Sequence, residues 1–270
     1  MTASRQGGEA PPAPAAFRYS VVIPVFNSER LIGETVRRTA EFFERAGWRH
    51  QIVLVNDGSA DRSWEVVAAL ARQNASIVAI NLEKNYGQYA AIFCGLHHAS
   101  GDFVVTMDDD LQNPPEEIAQ LVAKILEGYD VVFGRFRAKQ HARYRRWGSG
   151  LIGRLNRWIF GQPRDLTVSN FRIIRKSVVD RMRRHRTRFP YITGLALLYS
   201  EKRANVWVEH RPRPQGESNY DLILLFRTAA RIVLHYAPFP GAGIIRRIRR
   251  NPEAPAYVEK EVITSAQSPF

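Results

Sequence analysis

The sequence predicts an α/β fold, a mostly parallel central sheet flanked by helices. Three observations carry that expectation. Short unbroken apolar runs, the mark of strands covered on both faces, alternate with stretches of helical period about every 25 to 30 residues. Four of these runs end in polar turns, at residues 24–27, 56–57, 84–85 and 108–110, and in open parallel sheets ligands bind beyond the carboxyl ends of the strands. No apolar run reaches the roughly 18 to 20 residues of a spanning helix, so no transmembrane helix is expected.

Taken in order, residues 1–16 are rich in Ala, Pro and Gly and lack an apolar h-region, so they read as a disordered leader rather than a signal peptide. Residues 19–24 form a buried strand that stops at Pro24. Residues 30–46 follow with Leu31, Ile32, Val36, Phe42 and Phe43 at helical spacing. A second strand spans 51–55, and Asp61 is placed to cap the helix 62–73, which buries Trp64, Val66, Val67 and Leu70. A third strand, 76–81, leads through 84–88 into the helix 89–99. That helix holds the single cysteine, Cys94, which cannot form an internal disulfide and reads as core filler in a reduced compartment. His97 and His98 are adjacent, hence on different faces, which argues against their chelating together.

The fourth strand, 102–107, delivers Asp108, Asp109 and Asp110 to its carboxyl end. Gln112 and the run Pro114-Pro115-Glu116-Glu117 follow, where the second proline suits the first position of a helix. Three adjacent carboxylates repel one another. Carboxylates at alternate positions of a turn, with an amide oxygen, suit a hard divalent ion such as magnesium or manganese. A fifth strand spans 129–134 and a late one 206–208. Neither Gly-x-Gly-x-x-Gly nor a Walker lysine occurs, which disfavours dinucleotide and P-loop modes.

The net charge of +13 is uneven: residues 135–188 hold seventeen Lys or Arg against two acids, Asp165 and Asp180. Such a block calls for an anionic partner, whether nucleic acid, anionic lipid or a phosphorylated substrate. Nucleic acid is disfavoured, because the strand-end carboxylates would repel a phosphate backbone. In the helix 222–236, Arg227, Thr228, Arg231 and His235 fall within a wedge of about 100° and the rest is apolar. At roughly 22 Å it is too short to cross a bilayer. It is expected to lie in the membrane interface, with the arginines of IIRRIRR just beyond it, the alternative being a C-terminal helix packed on the core. Trp147 and Trp158 suit either an interface or a core. Residues 251–270 read as a disordered tail.

The motifs IPVFNSE, VNDGSADRS, KNYGQYAA, TMDDDLQNPPEEI, YDVVFG, DLTVSNFRIIRKSV and RPQGESNY, in that order, resemble the family 2 glycosyltransferases of GT-A nucleotide-diphospho-sugar transferase fold. The likeness is to the polyprenyl-phosphate sugar transferase branch, which includes dolichyl-phosphate mannose synthase and undecaprenyl-phosphate aminoarabinose transferase, and it covers roughly residues 18–236. The resemblance implies a metal-dependent inverting transferase that moves a sugar from a UDP- or GDP-sugar to a polyprenyl phosphate. The expected place is the cytoplasmic membrane face, as a peripheral protein, with a separate membrane protein or a second copy as a further partner. It places Pro24, Asn27, Glu29, Asp57, Asn85 and Asp108 in the donor pocket, and Asp108, Asp110 and Gln112 on magnesium or manganese. Asp109 holds a supporting part. Asn56 stands where the family often has a second aspartate. Arg135, Arg145, Ser149 and Ser218 are implied to receive the acceptor phosphate. Asp165 is the implied base or sugar orienter, and Asp110 and Arg213 join it in the catalytic set.

The chain departs from the pattern at Asn170, which replaces glycine, and at Asn219, which replaces lysine. The expected organisation is a leader over 1–16, a catalytic domain over 17–220, the amphipathic helix and basic segment over 221–250, and the tail over 251–270. A lipid phosphate is already ionised at neutral pH and needs no strong general base. A sugar hydroxyl, the alternative acceptor in glycan synthesis, needs a carboxylate within hydrogen-bond reach.

Overall fold

The computed structural model describes residues 13–136, 143–211, 222–237 and 256–265. The strands are β1 (Arg18–Val25), β2 (Arg49–Asn56), β3 (Ile77–Leu82), β4 (Phe103–Thr106), β5 (Val131–Phe136), β6 (Arg172–Arg175), β7 (Arg203–Val208) and β8 (Glu259–Thr264). The helices are α1 (Ile32–Ala46), α2 (Ser63–Gln73), α3 (Gln88–His98), α4 (Ile118–Ile125), α5 (Arg143–Phe160), α6 (Lys176–Arg183), α7 (Ile192–Tyr199) and α8 (Leu222–Tyr236). All eight strands form one sheet in the order β7-β5-β6-β4-β1-β2-β3-β8. β1 pairs in parallel with β2 and β4, β2 with β3, and β5 with β7, whereas β6 runs antiparallel between β4 and β5. Two antiparallel pairings in succession restore direction. The carboxyl ends of β1 to β5 and of β7 therefore share one edge.

The unbroken apolar runs are buried on both faces, as a parallel sheet requires. Val22, Val55, Ile80, Phe133 and Ile174 face the layer that holds α3, α5, α6, α7 and α8. Val21, Ile23, Leu54, Phe103 and Ile173 face α1, α2 and α4. Each such side chain contributes about 1.5–3 kcal/mol on burial.

Several boundaries differ from the sequence expectation for identifiable reasons. β1 does not stop at Pro24 but continues to Val25. Val22 accepts from Met107 on the β4 side, so Pro24, two residues on, turns its missing N–H to that side, where β4 has already ended at Thr106. Pro115 opens a 3-10 turn, Pro115–Glu117, before α4 begins. The leader is ordered at its end: Pro14–Ala16 form a 3-10 turn, and Pro14 accepts a 2.9 Å hydrogen bond from the Tyr19 hydroxyl. β6, α6 and α7 were not expected as elements. The tail expectation is wrong over Glu259–Thr264, which forms β8 and covers the edge of β3. Composition misleads there because the segment packs a single half-buried apolar side chain, Ile263, against the core and takes its order from the β3 ladder.

Among the described residues no helix is long and apolar enough to cross a membrane. α8 buries Ala229 and Ile232, and the Tyr236 hydroxyl donates to Phe189 O at 2.7 Å. Phe226, 62% exposed, and Arg227 stand on its outer side, and Arg231, also exposed, sets its guanidinium 5.6 Å from the centre of the Phe189 ring.

Candidate active site

Four polar turns meet at the carboxyl edge of adjacent parallel strands and are tied to one another. The loops after β1 and β2 clasp through reciprocal bonds: Asn27 Oδ1 accepts from Ala60 N at 2.9 Å and Asn27 N donates to Ser59 Oγ at 3.0 Å. Glu29 Oε2 accepts from Arg62 N at 3.0 Å, and Glu29 N donates to Asp61 Oδ2 at 3.1 Å. Asn27 takes the left-handed conformation, φ 50°, which asparagine tolerates better than most residues. The loops after β2 and β3 are locked by Asp57, whose two carboxylate oxygens accept from Tyr86 N at 2.7 Å and Gly87 N at 2.9 Å. Burial raises the Asp57 pKa against the pull of those two N–H groups. Asn85, in the loop that Asp57 holds, is exposed, and Pro24 is buried in β1.

Asn56 and Asn81, register partners on β2 and β3, form a buried amide pair in which Asn56 Nδ2 donates to Asn81 Oδ1 at 2.8 Å. An aspartate at position 56 could not make that bond while ionised. The asparagine that departs from the family pattern thus has a local reason.

The three aspartates do different things. Asp109 ties its loop to the loop after β1 and to α1: its Oδ2 accepts from Phe26 N at 3.3 Å and its carbonyl from Thr35 Oγ1 at 2.9 Å. Asp110 accepts from Gln112 N at 3.1 Å across Leu111, a non-glycine residue at φ 58°. Such a conformation costs of order 1 kcal/mol and is retained where the surroundings impose it. Asp108 accepts from Gln88 Nε2 at 2.6 Å. Burial, then the charges of Asp110 and Asp109, push the Asp108 pKa up to about 7, and burial pushes Asp109 up to about 6. Oxygen donors this crowded fit a hard divalent cation: Asp108 and Asp110 would be its ligands, with the Gln112 amide, whose Nε2 is held by Arg211 O at 3.4 Å, beside them.

Behind Asp108 lies a group that sequence reasoning missed. Arg172, the first residue of β6, is fully buried. Its guanidinium donates to Thr106 Oγ1 at 3.2 Å, Thr193 Oγ1 at 2.9 Å and Asn170 Oδ1 at 3.1 Å, and it lies 5.7 Å from the centre of the Phe133 ring. Burial lowers its pKa to about 10, and the charge of Asp108 counteracts that shift while Arg172 in turn restrains the rise at Asp108. Asn170 also donates from Nδ2 to Gln88 Oε1 at 3.4 Å, which closes a chain from Asp108 through Gln88 and Asn170 to Arg172. Its signals in the sequence were its place in the motif DLTVSNFRIIRKSV and an arginine inside the apolar run FRIIR.

The structure thus gathers Asn27, Glu29, Asp57, Asn85, Asp108, Asp110 and Gln112 at one edge. Arg135, at the end of β5, shares that edge and stacks on the exposed Trp207 ring at 4.5 Å; β5 lies two strands, about 10 Å, from β4. Asp165 is exposed in the loop before β6, a loop fastened to β7 where Asn205 Oδ1 accepts from Thr167 N at 2.8 Å. Arg145 and Ser149 lie in the first turns of α5. Arg213 and Ser218 lie outside the described residues. The basic block is not one face: Arg175 is bonded to Tyr129 O and Arg183 to Leu96 O, so these guanidinium groups serve the fold.

A sheet of this order, with its polar turns converging on clustered aspartates, defines a GT-A-type transferase. The chain belongs to the family described as Glycosyl transferase family 2, which matches residues 20–197, and it is a glycosyltransferase. Among solved structures it is similar to glucosyl-3-phosphoglycerate synthase from Mycobacterium tuberculosis in complex with phosphoglyceric acid, with a TM-score of 0.57 at 18% identity over 86% of this chain and 84% of that one. The same enzyme in complex with Mn2+, uridine diphosphate and phosphoglyceric acid gives 0.54 at 20% identity over 82% and 77%. TarS from S. aureus gives 0.50 at 18% identity over 86% and 69%. At these identities the likeness is one of fold.

Proposed function

We propose that the protein transfers a sugar, with inversion, from a nucleoside-diphosphate sugar to a polyprenyl phosphate at the inner face of the cytoplasmic membrane, as a peripheral protein. One observation carries this reading: the Asp108–Asp110 loop and Arg135 open on the same edge of the same sheet. A cationic side chain beside an anionic cluster suits a site that takes two anionic substrates, a diphosphate donor and a phosphate acceptor. Asp108 and Asp110 would hold a magnesium or manganese ion, which would supply charge neutralisation for the leaving diphosphate; the Mn2+ complex of the synthase of similar fold supports that choice.

The chain's own residues supply the rest. Asn27, Glu29 and Asp57 fix the three loops, after β1, β2 and β3, that floor the donor side, so the pocket is shaped before substrate arrives. Arg172 offers a fixed positive charge behind Asp108 without competing for the substrate. Arg135, flattened on Trp207, presents a guanidinium to an incoming phosphate, with Arg145 and Ser149 of α5 and Arg213 and Ser218 as further candidates. The exposed Phe226, Arg227 and Arg231 of α8 support a membrane-facing side.

A sugar hydroxyl is the second reading, favoured by the fold likeness to glucosyl-3-phosphoglycerate synthase in complex with phosphoglyceric acid. The two part at Asp165. Incubation of the purified protein with Mg2+ or Mn2+, a panel of nucleotide sugars and polyprenyl phosphate is expected to yield a lipid-linked sugar, and Asp165→Asn to retain at least a tenth of that turnover. Release of nucleotide without lipid labelling, or loss of all turnover in Asp165→Asn, points to the hydroxyl acceptor instead.

A further inference from the structure

Remote from the aspartate loop, a group of side chains joins β8 to α3. Cys94 and His98 stand four residues apart on α3 and so project from one face of the helix. Glu259, the first residue of β8, meets both: its Oε1 accepts from Cys94 Sγ at 3.4 Å and lies 2.9 Å from His98 Nε2. The three ligating atoms all fall within 4.8 Å of one another.

The backbone is arranged for this meeting. β8 pairs with β3 in register from Thr264 to Glu261, and the ladder then slips so that Leu82 faces Glu259 instead of Lys260. Leu82 belongs to the same apolar layer as Cys94, and directly opposed residues project to the same face of a sheet. A bulge re-aims side chains in this way. Without the slip, the Lys260 ammonium would stand against the helix where the carboxylate now does.

We propose that Cys94, His98 and Glu259 form a metal site of the zinc class that fastens the C-terminal strand to α3. A thiolate, an imidazole and a carboxylate are the donor types zinc takes, and three protein ligands leave a fourth position for water. Bond lengths of about 2.0–2.3 Å in a tetrahedral arrangement put the ligand atoms roughly 3.3–3.6 Å apart. The sulfur-to-oxygen separation already matches, the imidazole need withdraw from the carboxylate by a few tenths of an ångström, and the sulfur and the imidazole nitrogen, within 4.8 Å of each other, close on the ion as it binds. Cys94 donates its S–H to Glu259, so binding exchanges that proton for the metal and releases it to solvent. The ion has a way in, because the His98 and Glu259 side chains are 27% and 30% exposed. His97 takes no part: its Nδ1 faces Phe93 O at 2.9 Å and the Tyr257 hydroxyl at 3.2 Å. The all-oxygen set at Asp108 and Asp110 suits magnesium or manganese and this mixed set suits zinc, so the two sites sort their ions by softness. They share α3, whose Gln88 supports Asp108 about 9 Å along the axis from Cys94.

Cobalt is the probe. The full chain, in excess Mg2+ to occupy oxygen-only sites, is titrated with Co2+ and followed by near-ultraviolet absorption. A thiolate-to-cobalt charge-transfer band can arise from one residue alone, because the chain has a single cysteine. The expected result is one equivalent of cobalt bound with that band, its displacement by Zn2+, loss of the band in Cys94→Ser, and an affinity at least about 100-fold weaker in Glu259→Gln. Because Glu259 is partly exposed, that variant leaves the fold intact. Zn2+ should also slow amide exchange at Val262 and Ile263 by about tenfold or more in the native chain and leave it unchanged in Glu259→Gln. No charge-transfer band at saturating cobalt, or a band and affinity unaltered in Glu259→Gln, overturns the site.

Discussion

Asp108 shows how one side chain can carry the electrostatics of a site. Its carboxyl, crowded by Asp110 and Asp109, is pushed up to about 7 where an unfolded aspartate has 3.8. Between those values the folded chain holds a proton that the unfolded chain releases, so stability is present at the lower pH and is lost as pH rises toward 7. Thermal unfolding in a chelator is therefore expected several degrees lower at pH 8 than at pH 5. Mn2+ should largely remove that difference, since a cation favours the ionised form. Asn170 gives a second residue-scale prediction. Its amide holds Gln88 and Arg172 together, so Asn170→Gly, although it restores the family's usual residue, should cost about 1–3 kcal/mol in denaturant unfolding. This linkage was not legible beforehand: the sequence gives the substitution but not the buried guanidinium that uses it. Asp108, Asp110 and Gln112 were legible because strand, acidic turn and proline-led helix follow one another within a few residues, and their placement depends on little else.

At the scale of elements, the donor side depends on the close approach of two loops. Gly58, at φ 63°, lies so near the loop after β3 that a Cβ would come within 2.4 Å of Asn85 N and Lys84 C. Gly58→Ala meets backbone on one side and left-handed strain on the other. It is expected to destabilise by about 2 kcal/mol or more and to weaken nucleotide binding at least tenfold, as calorimetry with the nucleoside diphosphate would show. The parallel core elements were legible because each is a continuous apolar run with helical spacing after it. β6 escaped because it is four residues long and carries an arginine at its head. β8 escaped for a different reason, since its residues look solvated and its order comes from a partner strand far away in the chain. α8 was legible as amphipathic, and the structure divides its apolar face, with Ile232 turned to the core and Phe226 to the outside.

Across the whole molecule, one edge of the sheet gathers the anionic ligands and Arg135, and α8 presents arginines outward. If this outer side rests on a membrane, Arg227→Gln with Arg231→Gln removes about 2 kcal/mol of attraction, and binding to vesicles rich in anionic lipid should fall roughly 30-fold. Equal binding of the native and doubly substituted chains in a sedimentation assay would leave α8 as a purely internal support. The sheet also has a history. β3 emerges early in synthesis and its outer partner, β8, roughly 180 residues later. At about 5 to 20 residues per second the nascent chain carries an uncovered strand for on the order of ten seconds or more. During that interval the exposed ladder can recruit a neighbouring polypeptide, so yield in a host short of chaperones should depend on translation speed more steeply than the finished protein's stability suggests.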